Sequence, residues 1–353
     1  MKISIGTKIK DGPWGGGNLF AINLKEYLTN NGHEVINNLN DNDIDIILIT
    51  EPRRTSESSA YTHIDVQNYI KYVNSSVLVV HRINECDERK NTNYVNKYMI
   101  QANNVADYTI FVSSWLKDIY TQQGINQKNN HVILAGANSD IFNNSGYEAW
   151  NGNSKMKIVT HHWGANWNKG FAIYQELDNL LGDKKYDELF SFTYIGNVPK
   201  KFKFRNSKLV KPLSGTELSN EIKRHHVYLT GSINEPSGNH HIEGAQCGLP
   251  LLYIDSGGTP EYCNGYGVKF DNADFKKKLN ELYENYETYL SVINTYPFNA
   301  EKMCLEYEKI FNTMLESKTE ILNTRSLYTK TTKLNAFAFN LSRRFKLWRK
   351  ERI

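Results

Sequence analysis

Two glutamates stand eight residues apart in the segment EPSGNHHIE, with Glu235 at its start and Glu243 at its end. The turn residues Pro236, Ser237 and Gly238 predict that a helix starts between them, with Glu243 one to two turns inside it. Both carboxylates can then face one cleft, while backbone N–H groups of the helix start point at an anion. A carboxylate on a helix can also accept hydrogen bonds from the two hydroxyls of a ribose. Two solvated glutamates would show the same spacing, so only the surrounding sequence can distinguish a ligand-binding pair from a solvent-exposed one.

The elements that would position these carboxylates alternate between strand and helix. Ile3 and Ile5 alternate with polar residues before a glycine-rich turn, GPWGGGN, and a helical pattern that ends at Gly32. Three continuous apolar runs of strand length follow, with helical segments between them: IDIILI (44–49), SVLVVH (76–81) and YTIFVS (108–113). Strands that are apolar on both faces and alternate with helices predict a parallel, doubly wound sheet.

The same alternation restarts near Lys155. Strands are predicted at KIVTHHW, SFTYIG, VYLTG and LPLLYI, and helices at about 171–181, 216–225, 240–248 and 271–290. A chain of 353 residues exceeds what one hydrophobic core normally serves. We therefore predict two domains, residues 1–150 and 151–317, joined in the polar stretch 142–154. The segment 296–315 has apolar residues at helical spacing and predicts a helix that closes the second domain.

The net charge of +4 is unevenly distributed along the chain. Residues 330–353 hold eight basic residues and one acidic residue, a net charge of +7, which leaves −3 on the other 329 residues. A slightly acidic body does not indicate affinity for nucleic acid. No long apolar run suggests a signal peptide or a membrane span, so we expect a cytoplasmic protein. Neither the four cysteines nor the adjacent histidine pairs have the spacing of metal ligands, and we expect no metal.

Several motifs, taken in their order along residues 1–315, resemble the retaining glycosyltransferases of family 4. In the first half they are GPWGGGN (12–18), VVHRINE (79–85), ADYTIFVSSWLKDIY (106–120) and VILAGANSDIF (132–142). In the second half they are NKGF (168–171), YIGN (194–197), SINEPSGNHHIEGAQCGLPLL (232–252) and SGGTPEY (256–262). The resemblance implies an α/β fold of GT-B architecture, with two Rossmann-like, doubly wound parallel-sheet domains that face a cleft.

The resemblance also implies roles for particular residues. Glu235 would contact the donor sugar and Glu243 the ribose, while Lys169 would bind the diphosphate, where a compact cation offsets the charge that develops on a leaving phosphate. Gly15, Gly16 and Gly17 lack the Cβ atoms that would keep the backbone away from a phosphate or sugar, although an ordinary tight turn would also use glycines. Further backbone contacts to the donor are expected from Gly238, Asn239, Gly257 and Gly258.

His81 stands at the end of the third first-domain strand, where sheets of this kind present residues to ligands. Similar proteins often place a histidine there that reaches the donor sugar and the reaction centre. A structural, hydrogen-bonded histidine is the alternative. Arg82 and Glu85 follow, and either an acceptor-binding or anion-binding role or a solvent-facing or paired one fits them equally.

One position departs from the family pattern. Many members carry an arginine five residues before the phosphate-binding lysine, and here that position is Gly164, within HHWGANWNKG. A second phosphate contact would then have to come from His162, Trp163 or Asn166, or from an arginine elsewhere in the chain.

The expected activity is transfer of a hexosyl group from a nucleotide diphosphate sugar to a hydroxyl of a glycan or lipid-linked acceptor, with retained anomeric configuration. The resemblance implies that donor and acceptor meet on the same face and that the leaving phosphate takes the acceptor proton. Neither a metal, nor a cofactor, nor a protein nucleophile is expected. A sugar-nucleotide epimerase of GT-B fold and a non-catalytic nucleotide-sugar-binding or glycan-binding protein are the alternatives. An NAD oxidoreductase is disfavoured, because Phe20 occupies the last glycine position of the dinucleotide fingerprint.

Residues 318–353 form a predicted basic, amphipathic tail. Six apolar residues recur along one helical stripe: Leu334, Phe337, Ala338, Leu341, Phe345 and Trp348. Arg343, Lys346 and Lys350 lie opposite, while Phe339 and Leu347 interrupt the pattern. The stripe and the cationic face predict peripheral contact with an anionic membrane surface. Docking on the protein's own surface is the alternative.

Overall fold

The computed structural model describes residues 1–12, 14–125, 129–325, 335 and 337–343. The first domain contains a six-stranded, all-parallel sheet in the order β2-β1-β3-β4-β5-β6. Its elements are β1 (Lys2–Ile5), α1 (Gly16–Asn30), β2 (Glu34–Ile36), β3 (Ile46–Ile49), α2 (His63–Tyr72), β4 (Leu78–Ile83), α3 (Asp87–Lys90), α4 (Val95–Asn103), β5 (Tyr108–Phe111), α5 (Ser114–Gln122) and β6 (Asn130–Val132). Alternate residues of β3 pack in different clusters, with Ile46 and Leu48 on the side of α1 and Ile47 and Ile49 on the side of α2.

The second domain repeats this plan with the sheet order β12-β11-β10-β7-β8-β9, again all parallel. Its elements are β7 (Met156–His162), a 3-10 turn (Trp167–Lys169), α6 (Phe171–Leu180), α7 (Lys184–Leu189), β8 (Phe190–Gly196), β9 (Lys208–Val210), α8 (Gly215–Ile222), β10 (Val227–Thr230), α9 (Asn239–Gln246), β11 (Leu251–Ile254), α10 (Thr259–Cys263), β12 (Gly267–Phe270), α11 (Phe275–Glu284) and α12 (Tyr286–Ile293).

The predicted α/β architecture of two doubly wound parallel sheets is confirmed. Four strands were not predicted, namely β2, β6, β9 and β12, and these are the four edge strands of the two sheets. Each has only three or four residues, and each is partly exposed. An edge strand packs on fewer neighbours, so its sequence does not need the continuous apolar run by which the central strands are recognised.

The predicted closing helix, α13 (Ala300–Glu316), packs against the first domain rather than closing the second. Its Glu308 accepts hydrogen bonds from Tyr27 and Asn31 and pairs with the His33 ring at 2.8 Å. Aromatic contact adds to this, since the rings of Phe20 and Tyr307 lie 5.1 Å apart. After the second domain, the chain therefore returns to the first.

The two segments that cross between the domains run side by side. Ala137, leaving the first domain, forms a parallel bridge with Asn299 on the returning segment, and the Ala300 N–H donates to the Ala137 carbonyl at 2.8 Å. A Cβ on Gly136 would lie 2.0 Å from the Asn299 carbonyl oxygen, so only glycine allows this approach.

The helical structure continues past Ser317, whereas the sequence predicts that a separate tail begins at residue 318. Helix α14 (Lys318–Thr324) buries Ile321, and Arg325 forms a buried ion pair with Asp107 at 2.6 Å. Residues 337–343 are helical and lie against the first domain. Among the described residues, no helix has both the length and the apolar character needed to cross a membrane.

Candidate functional site

The site lies where the strand order of the second sheet reverses. Strands β7 and β10 are neighbours in that sheet, and the chain continues outward from them on opposite sides, to β8 and to β11. In open parallel sheets a crevice forms outside the carboxyl ends of the strands at such a point. Lys169 follows β7 and Glu235 follows β10, so both stand at this crevice. Lys169 Nζ donates to Glu235 Oε2 at 2.5 Å.

The two loops are held together by their backbones. The Ile233 N–H donates to the Asn168 carbonyl at 2.8 Å, next to the Lys169 and Glu235 positions. Gly170, directly after Lys169, has a positive φ of 100°, and a Cβ there would lie 2.7 Å from the backbone carbon of Gly231. Close packing of one loop on the other therefore aims the lysine at the glutamate.

Glu235 has a second cationic partner, which comes from the first domain. Arg89 on α3 donates through Nε to Glu235 Oε1 at 3.0 Å and through Nη1 to both oxygens of Glu85 at 2.8 Å. Lys90 completes the network with a 2.8 Å pair to Glu85. The side chain of Glu235 is only 5% exposed, so its charge is compensated by protein groups rather than by water.

The network shifts the pKa values of its members. Burial alone would raise the pKa of Glu235, but the charges of Arg89 and Lys169 outweigh it and lower the pKa to about 2. Burial and the nearby charge of Arg89 lower the pKa of Lys169, against the opposing effect of Glu235. Burial also acts to lower the pKa of Arg89, but Glu235 and Glu85 more than compensate and raise it. Glu235 is therefore a carboxylate throughout the neutral range.

Helix α9 starts beside this network, as predicted. Gly238 is its N-cap residue and has no side chain to accept from the first N–H groups, and the first turn holds no acidic residue. The positive end of the helix is thus left open to an anion, in the sense that its N-cap residue does not cap it. One turn further along, Glu243 is buried, and its Oε2 lies 2.7 Å from His161 Nε2, while His161 Nδ1 lies 2.9 Å from the Tyr228 hydroxyl.

The predicted glycines also meet around the cleft. A Cβ on Gly16, at the start of α1, would lie 2.9 Å from Asn239 Oδ1 of the other domain. Gly257 and Gly258 press on the loop that carries Glu235, since their Cβ atoms would lie 2.6 Å from the Glu235 nitrogen and 2.4 Å from the Pro236 carbonyl oxygen. Gly15 and Gly17 flank Gly16, at the N-cap and in the first turn of α1. The glycine turn and the α9 start therefore approach each other from opposite sides.

Further contacts hold the two domains against each other. Glu261 on α10 accepts hydrogen bonds from the Ser114 and Trp115 N–H groups at the start of α5, at 2.8 and 2.9 Å. The Tyr262 hydroxyl donates to the Val112 carbonyl and accepts from the Ala135 N–H. The cleft is closed, and the second domain supplies an acidic cap to a helix of the first.

Two residues of the site were missed by sequence reasoning. None of the motifs includes Arg89, although its i, i+4 spacing from Glu85 is that of an ion pair at the start of a helix. His241, in the first turn of α9, is buried with neither ring nitrogen hydrogen-bonded among the described residues. Burial lowers the pKa of His241 to about 3, so its ring is neutral.

The structure does not bring His81 to this network. The His81 side chain on β4 is fully buried, and its Nδ1 lies 3.0 Å from Asn103 Oδ1 on α4. Its neighbour Arg82 lies on the other side of the strand, with the guanidinium 4.0 Å from the centre of the Phe20 ring. These contacts match the structural alternative for His81, and its donor-binding role stays a prediction.

Among the described residues, no group of three or more His, Cys, Asp or Glu side chains is placed to hold a metal ion. The polar groups that converge at the crevice are instead cations, a helix start and hydrogen-bonding carboxylates. Such a set is suited to a polyanionic ligand with several hydroxyls.

The architecture is the GT-B fold of glycosyltransferases. A glycosyltransferase from Rickettsia africae matches with a TM-score of 0.66 and 15% identity over 89% of this chain and 98% of that one. HepE from Anabaena, determined in complex with UDP and glucose, matches with a TM-score of 0.64 and 12% identity over 89% of this chain and 100% of that one. The lipopolysaccharide outer core galactosyltransferase WaaB matches with a TM-score of 0.64 and 14% identity over 90% and 100% of the two chains. No family model and no curated protein sequence matches the chain.

Replacement of His81 should alter the pH dependence of stability. Burial lowers the pKa of His81 to about 4, below the ordinary 6.5, so the unfolded chain binds its proton first as the pH falls. The contribution of the neutral, buried His81 ring to the free energy of unfolding is therefore complete above pH 6.5. It decreases by about 1.4 kcal/mol per pH unit as the pH falls from 6.5 towards 4. Between pH 7.5 and pH 5, urea unfolding should show a smaller decrease in the free energy of unfolding for His81→Asn than for the unaltered protein. If His81→Asn shows the same decrease and loses ligand binding, the result would instead favour contact of His81 with the donor.

Proposed function

We propose that this protein is a glycosyltransferase that moves a hexosyl group from a nucleotide diphosphate sugar to a hydroxyl of a glycan or lipid-linked acceptor. The observation that carries the proposal is the Lys169–Glu235 pair, which stands beside the open start of α9 at the reversal point of the second sheet. The pair faces the cleft between two domains of a GT-B fold. The complex of HepE with UDP and glucose supports the proposal that the ligand is a nucleotide sugar.

Each group at the crevice matches a part of such a donor. Lys169 and the first turn of α9 would bind the diphosphate, because both present positive charge to one place. Glu235 would accept hydrogen bonds from sugar hydroxyls, and Glu243 from the ribose hydroxyls, with the His161 ring orienting that carboxylate. Cations of the protein would then offset the charge of the leaving group, and the proposal includes no metal or cofactor.

The transfer would proceed with retention, as the family resemblance implies. The acceptor oxygen forms its bond to the anomeric carbon on the face from which the diphosphate departs. The bond between that carbon and the phosphate oxygen breaks, and the acceptor proton passes to the leaving phosphate. The residues of the site hold the two reactants together and stabilise the developing negative charge. Closure of the cleft by Glu261 and Tyr262 would keep water from competing with the acceptor.

The protonation state of Glu235 favours glycosyl transfer over epimerisation. An epimerase needs acids and bases that act on the sugar itself. With its pKa lowered to about 2 by Arg89 and Lys169, Glu235 is a weak base and has no proton to deliver near neutral pH. A carboxylate that stays charged is suited to hydrogen-bonding hydroxyls. Incubation of a nucleotide sugar without acceptor tests the alternative, because only an epimerase would convert it to its epimer.

A panel of nucleoside diphosphates and nucleotide sugars should identify the donor by thermal stabilisation. A ligand that binds only the folded protein adds about 2.7 kcal/mol at a hundred times its Kd. We expect at least one of UDP, ADP and GDP, with its sugar derivatives, to raise the unfolding temperature, whereas the free nucleosides should not. Absence of any rise at millimolar ligand would contradict the proposal.

Removal of either member of the central pair should abolish most of the turnover. Glu235→Gln and Lys169→Ala should each lower kcat by about 10²- to 10³-fold, because each removes a charge from the reacting site. Glu221→Gln is a matched control, since Glu221 also bridges two cations in the second domain, Lys208 and Arg224. Product formation would be measured with the donor that the panel identifies.

Glu221→Gln should stay within about twofold of the unaltered protein, a spread that corresponds to less than half a kcal/mol. Near-normal turnover of both Glu235→Gln and Lys169→Ala, with unchanged unfolding temperatures, would refute these roles.

We also propose that the tail binds an anionic membrane surface. Phe337 and Leu341, two residues of the predicted stripe, are 71% and 59% exposed. The segment 337–343 contacts the first domain through other residues: Phe339 stacks on Tyr72 with ring centres 4.7 Å apart, and Arg343 donates to the Leu39 carbonyl. Docking therefore leaves Phe337 and Leu341 facing solvent, where they could enter a lipid interface. The stripe residues Leu334, Phe345 and Trp348 lie outside the described residues.

A chain that ends at Arg325 should lose vesicle binding and keep its fold, because it retains α14 and the Arg325–Asp107 pair. Binding to vesicles with anionic lipid, measured by sedimentation, should fall for this chain and for Phe337→Ser/Leu341→Ser. Leu209→Ser is the matched control, since Leu209 is 50% exposed in the second domain. Equal binding by the shortened and full-length chains would refute the proposal.

A further inference from the structure

Arg89 belongs to the first domain, but its guanidinium lies in the crevice of the second. Its backbone is held there by both loops of the crevice: Asn168 Nδ2 donates to the Arg89 carbonyl, and Asn234 Nδ2 donates to the Glu88 carbonyl, each at 3.2 Å. The side chain of Arg89 is 21% exposed. The position of this arginine is therefore set by contacts on both sides of the cleft.

The ion-pair network around Arg89 has an excess of positive charge. Its cations are Lys169, Arg89 and Lys90, and its carboxylates are Glu235 and Glu85. The open start of α9 adds a further partial positive charge. Glu235 is the partner of Lys169 and shares Arg89 with Glu85. A ligand that engaged Glu235 through hydroxyls would leave Lys169 and the Nε edge of Arg89 available for its phosphates.

Position 164 places no cation beside Lys169. A Cβ built on Gly164 would lie 3.7 Å from both Lys169 Cε and Asn166 Nδ2, so a larger residue there would stand next to the lysine. Asn166 is the polar neighbour on that flank, and a positive charge beside Lys169 has to come from another part of the chain. Among the ion pairs of the described residues, those of Glu235 are with Lys169 from its own domain and Arg89 from the other.

We propose that Arg89 is a donor-binding residue, which the first domain delivers across the cleft to the diphosphate beside Lys169. Nη1 stays anchored on Glu85, while the Nε edge exchanges Glu235 for a phosphate oxygen as Glu235 turns to the sugar hydroxyls. A guanidinium is suited to this exchange because it keeps its charge and presents several donors in a fixed plane. This inference rests on the proposed function and assigns it one further binding residue. Closure of the domains and completion of the phosphate site become a single event.

Calorimetric titration with UDP, ADP, GDP and inorganic pyrophosphate tests the role of Arg89. Arg89→Gln should raise Kd at least tenfold for the nucleoside diphosphate that binds best and for pyrophosphate, and Arg89→Lys should recover part of the loss. Arg53→Gln is the matched control. The Arg53 side chain is about as exposed as that of Arg89, and it pairs with Glu51 in the same domain. It also interacts electrostatically with Glu85. It should stay within threefold of the unaltered protein.

The outcomes separate this inference from the function on which it rests. An Arg89→Gln protein that binds as well as the unaltered protein, or more tightly, overturns the role of Arg89 and leaves the proposed function intact. Failure of the unaltered protein to bind any of the four probes rejects both. Arg89→Gln leaves Glu235 paired with Lys169 and Glu85 paired with Lys90, so folding should persist. Should it fail to fold, weaker binding by Arg89→Lys supports the inference, and unchanged binding overturns it.

Discussion

Glu235 is a buried negative charge whose two compensating cations come from different domains. An ionised carboxylate away from water is costly unless it is paired and hydrogen-bonded, and here Lys169 and Arg89 provide both. The loop after β7, the loop after β10 and helix α3 must all be in place for this compensation to exist. Domain closure and the electrostatics of the crevice are therefore one constraint, and the backbone contacts of Asn168 and Asn234 serve the same end.

The parallel sheets explain why this charge cluster can form at all. Every strand of a parallel sheet delivers its following loop to the same edge, so side chains far apart in sequence meet without special folding of the chain. In the second sheet, the reversal between β7 and β10 opens a gap at that edge. The first sheet presents its own carboxyl edge through the segment after β4, which carries Glu85 and Arg89. The cleft is the meeting of these two edges.

The central strands and the plan of two parallel sheets could be predicted from the sequence, because they depend on local apolar patterns, and the motifs that carry Lys169 and Glu235 could be recognised by their order. Edge strands such as β9 could not, since their partly exposed residues carry no continuous apolar signal. The pairing of Arg89 with Glu235 joins residues 146 positions apart on different domains, and no local pattern encodes it. The orientation of His81 depended on which face of β4 it occupies, and in a strand buried on both faces the sequence is apolar on each side. The return of α13 to the first domain likewise depends on tertiary packing.

The side-by-side crossing at Ala137 and Asn299 restricts how the cleft can open. Two connections joined by a backbone hydrogen bond and a contact that admits only glycine cannot separate or slide without breaking that junction. Translation of the second domain away from the first would break this junction, whereas rotation about an axis through the crossing would keep it. Opening by rotation moves the far rim of the cleft most and the residues near the axis least. A bulky ligand would therefore enter at the rim while the residues at the crossing keep their packing.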